Sequence, residues 1–182
     1  MTPRPLEDAA VVVRRLQLRE APRLVDAVQA SLPELSRYLP WAEPGYDLDA
    51  ARHFIAFARE EERAGRGRHW SVFEKASGEL VGGIGLMTRV FESAELGYWT
   101  RSDRAGRGLC TRAGRLMLRL GFGAPGLRRI WLVCDVANRG SGRVARKLGM
   151  TREGRLRDYM IAGGRPRDHY LYAILRREWE KP

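Results

Sequence analysis

The densest chemistry lies in Glu95-Leu96-Gly97-Tyr98-Trp99-Thr100-Arg101-Ser102-Asp103-Arg104-Ala105-Gly106-Arg107-Gly108-Leu109. An apolar strand runs into a glycine-spaced turn, and the turn opens a helix. Without Cβ atoms at Gly106 and Gly108, backbone N–H groups can converge on an anion. The helix start adds a partial positive charge and unpaired donors, and Arg104 and Arg107 add full charges at its edge. Together they suit a diphosphate. The spacing fits neither common glycine loop. No Gly-Lys-Ser/Thr follows four spacer residues, and Thr111 stands where a dinucleotide loop places its third glycine. A tight strand-to-helix turn without a ligand would use the same glycines, so this stretch alone leaves both readings open.

A second strand–loop–helix unit follows in Asn138-Arg139-Gly140-Ser141-Gly142-Arg143-Val144-Ala145-Arg146-Lys147-Leu148-Gly149-Met150. Asn138 can serve as a helix N-cap, with Ser141 supporting the first turn. Taken together, the two units resemble the GNAT superfamily of acetyl-CoA-dependent N-acetyltransferases. Gly106-Arg107-Gly108 matches the core of its pyrophosphate motif, and Asn138-x-x-Ser141-x-x-x-Ala145-x-x-Leu148-Gly149-Met150 matches its second motif. The resemblance extends to the RimJ/RimL branch of ribosomal-protein N-terminal acetyltransferases through Glu95-Leu96-Gly97-Tyr98-Trp99, Tyr38-Leu39-Pro40-Trp41, and Asp168-His169-Tyr170-x-Tyr172 with Glu178-Trp179. Two positions depart from it. Asp103 stands where Gln or Arg often begins the pyrophosphate motif, and Met150 replaces the usual aromatic, a tolerable apolar exchange. An Asp beside a diphosphate is unfavourable, so Asp103 is expected to point away or to cap the helix.

The resemblance implies a sheet splayed between the strands ending near Trp99 and Val136. Backbone groups of Tyr98, Trp99 and Thr100 would pair with the pantetheine arm. Amides from Gly106 to Leu109, with Arg104 and Arg107, would hold the diphosphate, and Asn138 would bind the arm near the thioester. Ser141 is then the expected proton donor to the departing sulfur, with Tyr159 as the substitute used in other branches. An α-amine has a pKa of ~8 and must lose a proton before it attacks. Glu95, on a strand lining the cleft, is the expected base and Asp158 the alternative. An ordinary strand carboxylate paired with a cation is the plainer reading of Glu95. A lid of Trp41 and Tyr38 over the amine is one reading of that loop, and ordinary aromatic packing is the plainer one.

The elements needed to position these residues are visible in periodicity and punctuation. Val11 to Leu18 alternates as a strand. Ala21 to Ser31 reads as a helix, and Leu35 to Tyr46 as a loop with short helical turns around Pro40 and Pro44. Asp47 can cap a helix with Phe54, Ile55, Phe57 and Ala58 on its apolar face, ended by Gly65 and Gly67. Strands are expected over His69–Glu74, Leu80–Met87 and Glu92–Thr100, the first two joined by Ser77-Gly78. A helix over Arg104–Gly121, a buried strand over Ile130–Val136 and a helix over Arg139–Leu148 closed by Gly149 follow. Strands over Thr151–Ile161 and Asp168–Leu175, joined at Gly163-Gly164, complete a mixed α/β order. The resemblance sharpens this to a GNAT fold, whose twisted, mostly antiparallel sheet is flanked by helices and splayed at the cofactor cleft.

Composition bounds what else the chain can be. Its 182 residues are 44% hydrophobic and 30% charged, which suits one folded domain and argues against disorder. No apolar run reaches the ~18 residues of a membrane span, and no signal-peptide core precedes the first strand. Cys110 and Cys134, too few for a disulfide framework, fit a reducing cytoplasm and are expected to pack as small apolar side chains. His53 and His69 lack metal-ligand spacing, His169 is expected to face a polar end of the last sheet region, and with no ligand cluster no metal is expected. The net charge of +11 is unevenly spread. Residues 1–100 carry 13 basic and 15 acidic side chains, residues 101–182 carry 20 and 7, and 30 of the 33 cations are Arg.

A multiply charged anion is the natural partner of that half. Coenzyme A accounts for part of the excess, and the remainder leaves room for an acidic partner such as the ribosome. The expected acceptor is thus a primary amine, foremost the N-terminal α-amine of a ribosomal protein. A small amine such as an antibiotic or polyamine is the alternative within the same chemistry, favoured if residues 34–62 form an acidic pocket. A non-catalytic RNA- or ribosome-binding module is the alternative outside it. A homodimer stays open.

Overall fold

The computed structural model describes residues 3–89 and 91–180. Its strands are β1 (Leu6–Glu7), β2 (Val11–Arg14), β3 (Gly67–Glu74), β4 (Leu80–Arg89), β5 (Ser93–Thr100), β6 (Arg129–Asp135), β7 (Thr151–Ala162) and β8 (Arg165–Leu175). Helices are α1 (Ala21–Gln29), α2 (Leu32–Leu35), α3 (Leu48–Arg63), α4 (Leu109–Gly123), α5 (Arg139–Lys147) and α6 (Arg176–Trp179). All eight strands join one sheet in the order β1-β2-β3-β4-β5-β6-β8-β7. Only β5 and β6 run parallel, because α4 carries the chain across the sheet between them.

Two apolar layers clamp the sheet. On one face Val13, Trp70, Ile84, Leu86 and Leu96 meet Leu109, Ala113, Leu116 and Met117 of α4, with Ala145 of α5 alongside. On the other, Leu24 and Val28 of α1 and Ala51 and Ile55 of α3 pack against Phe73 and Leu80. Met117, Leu118 and Ile130 are fully buried, and each such side chain contributes about 1.5–3 kcal/mol relative to exposure.

The expected mixed α/β order is present, with shifted boundaries. The strand expected over Val11–Leu18 ends at Arg14. There the guanidinium makes a two-pronged bond to Glu20 at 2.8 and 2.9 Å, and Glu20 also accepts from the Gln17 N–H at 3.0 Å. The chain turns into a 3-10 helix over Leu18–Glu20 instead of continuing. The helix expected from Arg104 starts only at Leu109, because Gly106 and Gly108 take left-handed backbone angles that no α-helix continues through. Residues 102–104 form a separate 3-10 turn. Asp47 caps α3 as its position implies, accepting from the Ala50 N–H at 2.9 Å.

Glu20 ties acid stability to this corner. The Arg14 hydrogen bond, opposed by partial burial and helped by the Gln17 amide, pulls its carboxyl down to about 2 from 4.5. A depressed folded-state pKa stabilises the fold above the unfolded value, and that contribution fades as pH falls toward 2. Glu20→Gln should therefore lower the urea midpoint at pH 7, and its deficit against the parent protein should shrink between pH 5 and pH 3. A deficit that stays constant would remove the ion pair from the account.

Candidate active site

The strand-to-helix junction forms an open cradle. Gly106 and Gly108 have φ of +80° and +77°, and a Cβ built on either would meet nothing within 4 Å. The first α4 bond from this end runs from the Arg112 N–H to the Gly108 carbonyl at 3.0 Å. The amides ahead of it therefore point out of the helix end. Leu109 buries its side chain in the core while its amide stays at the rim. Such geometry fits a diphosphate, since space and donors converge where a side chain would otherwise stand.

The arginines at this rim are already engaged. Arg104 is paired with Glu79 on the β3–β4 turn, and Arg107 lies 3.5 Å from Glu74. The Arg104 Nε is buried without a hydrogen-bond partner among the described residues. Asp103 faces Arg101 at 2.9 Å. It also lies 3.9 Å from Arg104 and does not cap α4, whose N-cap is Gly108. The two glutamates were not legible as site residues, because a hairpin turn 25 or more positions upstream brings them in.

A diphosphate arriving at this rim would compete with Glu79 for Arg104. Such a pair holds weakly, because solvent screens it. Glu79→Gln should therefore lower the KM for acetyl-CoA by up to about fivefold. A rise in KM would instead assign Glu79 to holding Arg104 in place.

Beyond the cradle the sheet forks. Parallel pairing of β5 and β6 covers only Ser93–Glu95 with Arg129–Trp131. Leu96–Thr100 and Leu132–Asp135 then diverge, each held by its outer neighbour alone. Tyr98 spans the gap. Its hydroxyl lies 2.7 Å from Ser141 Oγ and 3.2 Å from the Ser141 carbonyl. Burial, with the nearby Cys110, raises the Tyr98 pKa above its usual value, so the phenol stays protonated. Asn138 caps α5, its Oδ1 accepting from the Ser141 N–H at 3.0 Å. The cap leaves the Asn138 amide nitrogen without a partner among the described residues. Tyr98, Ser141 and Asn138, drawn from two elements, thus meet at one wall.

Glu95 sits at the apex of the fork, opposite Met87 on β4 and Trp131 on β6. It shares a sheet face with Trp99, whose ring meets Trp41 edge-on at 6.1 Å; Trp41 in turn meets Tyr46 at 6.2 Å. Trp41 is 45% exposed, so this cluster borders solvent. Below Glu95 opens a wide concavity lined by Ser93, Phe91, Arg129, Trp131 and Leu175. Thr100 pairs with Gly82 at the end of β5, next to Cys110.

Asp158 and Tyr159 lie elsewhere, on the outermost strand. Between Leu156 and Met160, β7 carries two residues more than β8 opposite it. Asp158 takes φ of +48° there, and its N–H donates to Asp168 Oδ1 at 2.9 Å. Tyr159 is exposed and packs 5.2 Å from the His169 ring. His169 is buried and donates from Nδ1 to the Arg167 carbonyl at 3.1 Å. Burial raises both thiol pKa values, that of Cys110 to about 12, so neither supplies a thiolate. Among the described residues, no group of three or more His, Cys, Asp or Glu could hold a metal ion. Among the described residues, no helix is long and apolar enough to cross a membrane.

The site thus sets a glycine cradle at a helix start against a forked mixed sheet. The family described as Acetyltransferase (GNAT) domain matches residues 11–151, and the chain belongs to it. It is 28% identical to the uncharacterized N-acetyltransferase p20 of Bacillus licheniformis, over 93% of this chain and 94% of that one. It is 25% identical to the ribosomal protein uS5-alanine N-acetyltransferase of Escherichia coli strain K12, over 93% and 89%. Among solved structures, Mycobacterium smegmatis RimJ in complex with CoA-disulfide superimposes with a TM-score of 0.84 at 28% identity, covering 98% of this chain and 88% of that one. The chain is a GNAT N-acetyltransferase of the RimJ/RimL-like kind.

Proposed function

We propose that this enzyme transfers the acetyl group of acetyl-CoA to the N-terminal α-amine of a ribosomal protein. The fork carries the reading. Glu95 stands at its apex, and the hydrogen-bonded Tyr98 and Ser141 stand on its wall. Similarity to the uS5-alanine acetyltransferase supports the choice of acceptor. When bound, acetyl-CoA supplies the acyl thioester. The amides of Gly106 to Leu109, with Arg104 and Arg107, hold its diphosphate, and the free edge of β5 at Tyr98, Trp99 and Thr100 pairs with its amide-bearing arm. Asn138 steadies the arm near the thioester through its amide nitrogen. Glu95 accepts the amine proton, directly or through water, and Ser141 offers the Oγ proton to the departing sulfur. Holding the two reactants in line supplies up to about 7–11 kcal/mol of the rate gain.

The test is mass spectrometry of N-terminal peptides of ribosomal proteins, with polyamines and aminoglycosides as parallel acceptors. Acetylation confined to peptide α-amines is expected, and acetylation of the small amines alone would overturn the acceptor. Glu95→Gln should lower kcat about 100-fold, within the range for a lost general base. Asp158→Asn, on the exposed bulge, should change it less than about threefold, and the reverse ranking would move the base to Asp158.

A further inference from the structure

α4 and α5 lie side by side, with the Arg115 guanidinium donating to the Lys147 carbonyl at 3.3 Å. From Arg104 to Cys134, and again from Val136 to Arg152, the sequence contains no Asp or Glu. Arg112, Arg115 and Arg119 recur along one stripe of α4, and Arg139, Arg143, Arg146 and Lys147 project from α5; all seven are exposed. Only Arg112 among them has a carboxylate partner among the described residues, Asp8 at 2.9 Å. Arg146 reaches the Tyr172 hydroxyl at 3.4 Å. Elsewhere arginines are matched, as in Arg14–Glu20, Arg66–Glu61, Arg129–Glu153 and Arg167–Asp135. The cradle uses Arg104 and Arg107 and leaves this outer field uncompensated.

We propose that the outer face of α4 and α5 binds the phosphate backbone of duplex RNA, with Arg115, Arg119, Arg143 and Lys147 as its contacts. The inference rests on the acceptor proposed above, since a ribosomal-protein N-terminus is presented beside RNA. The face has the charge for it and lacks what other partners need. Protein interfaces draw their affinity from buried aromatic and apolar anchors, and single strands from aromatic stacking. The exposed large apolar side chains are Leu18, Trp41, Phe54, Phe57, Phe91, Tyr159 and Ile161, none of them on α4 or α5. Phosphate contacts need only cations at suitable spacing, and duplex RNA is met mainly through its backbone and shape.

The test is fluorescence anisotropy of the full chain with a labelled RNA duplex across 50–300 mM salt. A log–log slope of roughly −3 to −4 is expected for four contacts. R115E/R119E/K147E should weaken binding at least tenfold at 50 mM salt and flatten the slope by about three. Its kcat/KM on a free peptide should stay unchanged, which also reports an intact fold. R119Q/R143Q, which leaves the Arg115 contact in place, should flatten the slope by about two. No binding at 50 mM salt, unchanged slopes in both variants, or equal competition by a polyglutamate peptide would overturn the proposal, the last in favour of an acidic polypeptide. Loss of the acceptor reading is separately visible as absent peptide acetylation with RNA binding retained, and it would remove the reason for the site while leaving the contact measurable.

Discussion

Ser141→Ala is expected to lower kcat about 100-fold or more while leaving the KM for acetyl-CoA within about threefold. The split follows from position. Ser141 stands in the first turn of α5, away from the glycine cradle proposed to hold the diphosphate, and its hydroxyl is tied at 2.7 Å to a phenol. Burial keeps that phenol protonated, so Tyr98 can donate to Ser141 Oγ, which in the proposed mechanism leaves the serine proton for the departing sulfur. In the proposed mechanism, removing the serine removes the donor from the place where charge develops on sulfur, and little of the ground-state binding. Tyr98→Phe should cost less, about tenfold, because the serine hydroxyl survives with poorer orientation. Single-turnover kinetics with acetyl-CoA and a peptide acceptor separate the two. If Ser141→Ala retains its kcat, the proton comes from another group, and Tyr98, whose hydroxyl lies 2.7 Å from that serine, is next to be tested.

Gly108→Val should raise the KM for acetyl-CoA about 100-fold, the second large effect. Gly108 has φ of +77°, a left-handed angle that costs an ordinary L-residue about 1–2 kcal/mol and a β-branched one more. Nothing in the protein opposes a Cβ there, since no atom lies within 4 Å of the ideal position. The valine methyls would fill the space into which the amides of Arg107 to Leu109 converge. Stability should fall modestly, by a few degrees in Tm, whereas cosubstrate binding should fall steeply. Isothermal titration with coenzyme A measures the second directly. An unchanged affinity would move the diphosphate away from this junction.

How much of this was legible in the sequence depended on how local each signal was. Asp47 read as an N-cap and became one, because a cap bonds three residues along its own helix. The glycine pair at 106 and 108 marked the junction, although it displaced the start of α4 to Leu109; periodicity cannot register a left-handed break inside an apolar stripe. The short strand Leu6–Glu7 had too few residues to alternate visibly. What stayed hidden crosses between distant elements. Tyr98 and Ser141 are 43 positions apart and meet only because β5 and β6 part after three residue pairs. Glu79 and Glu74 read as ordinary hairpin carboxylates until the fold placed them against Arg104 and Arg107.

Those two glutamates change what occupation of the cradle means. Bare guanidiniums would release only loosely held solvent ions to an arriving diphosphate, and would be left naked when it departs. Here each has a resident carboxylate to leave and to return to. Loading and unloading become an exchange of one anion for another on a fixed pair of cations, as on an ion-exchange resin. With the proposed diphosphate placement, the cradle would give up some grip on its cosubstrate, and spent coenzyme would leave against a counter-ion already waiting beside it.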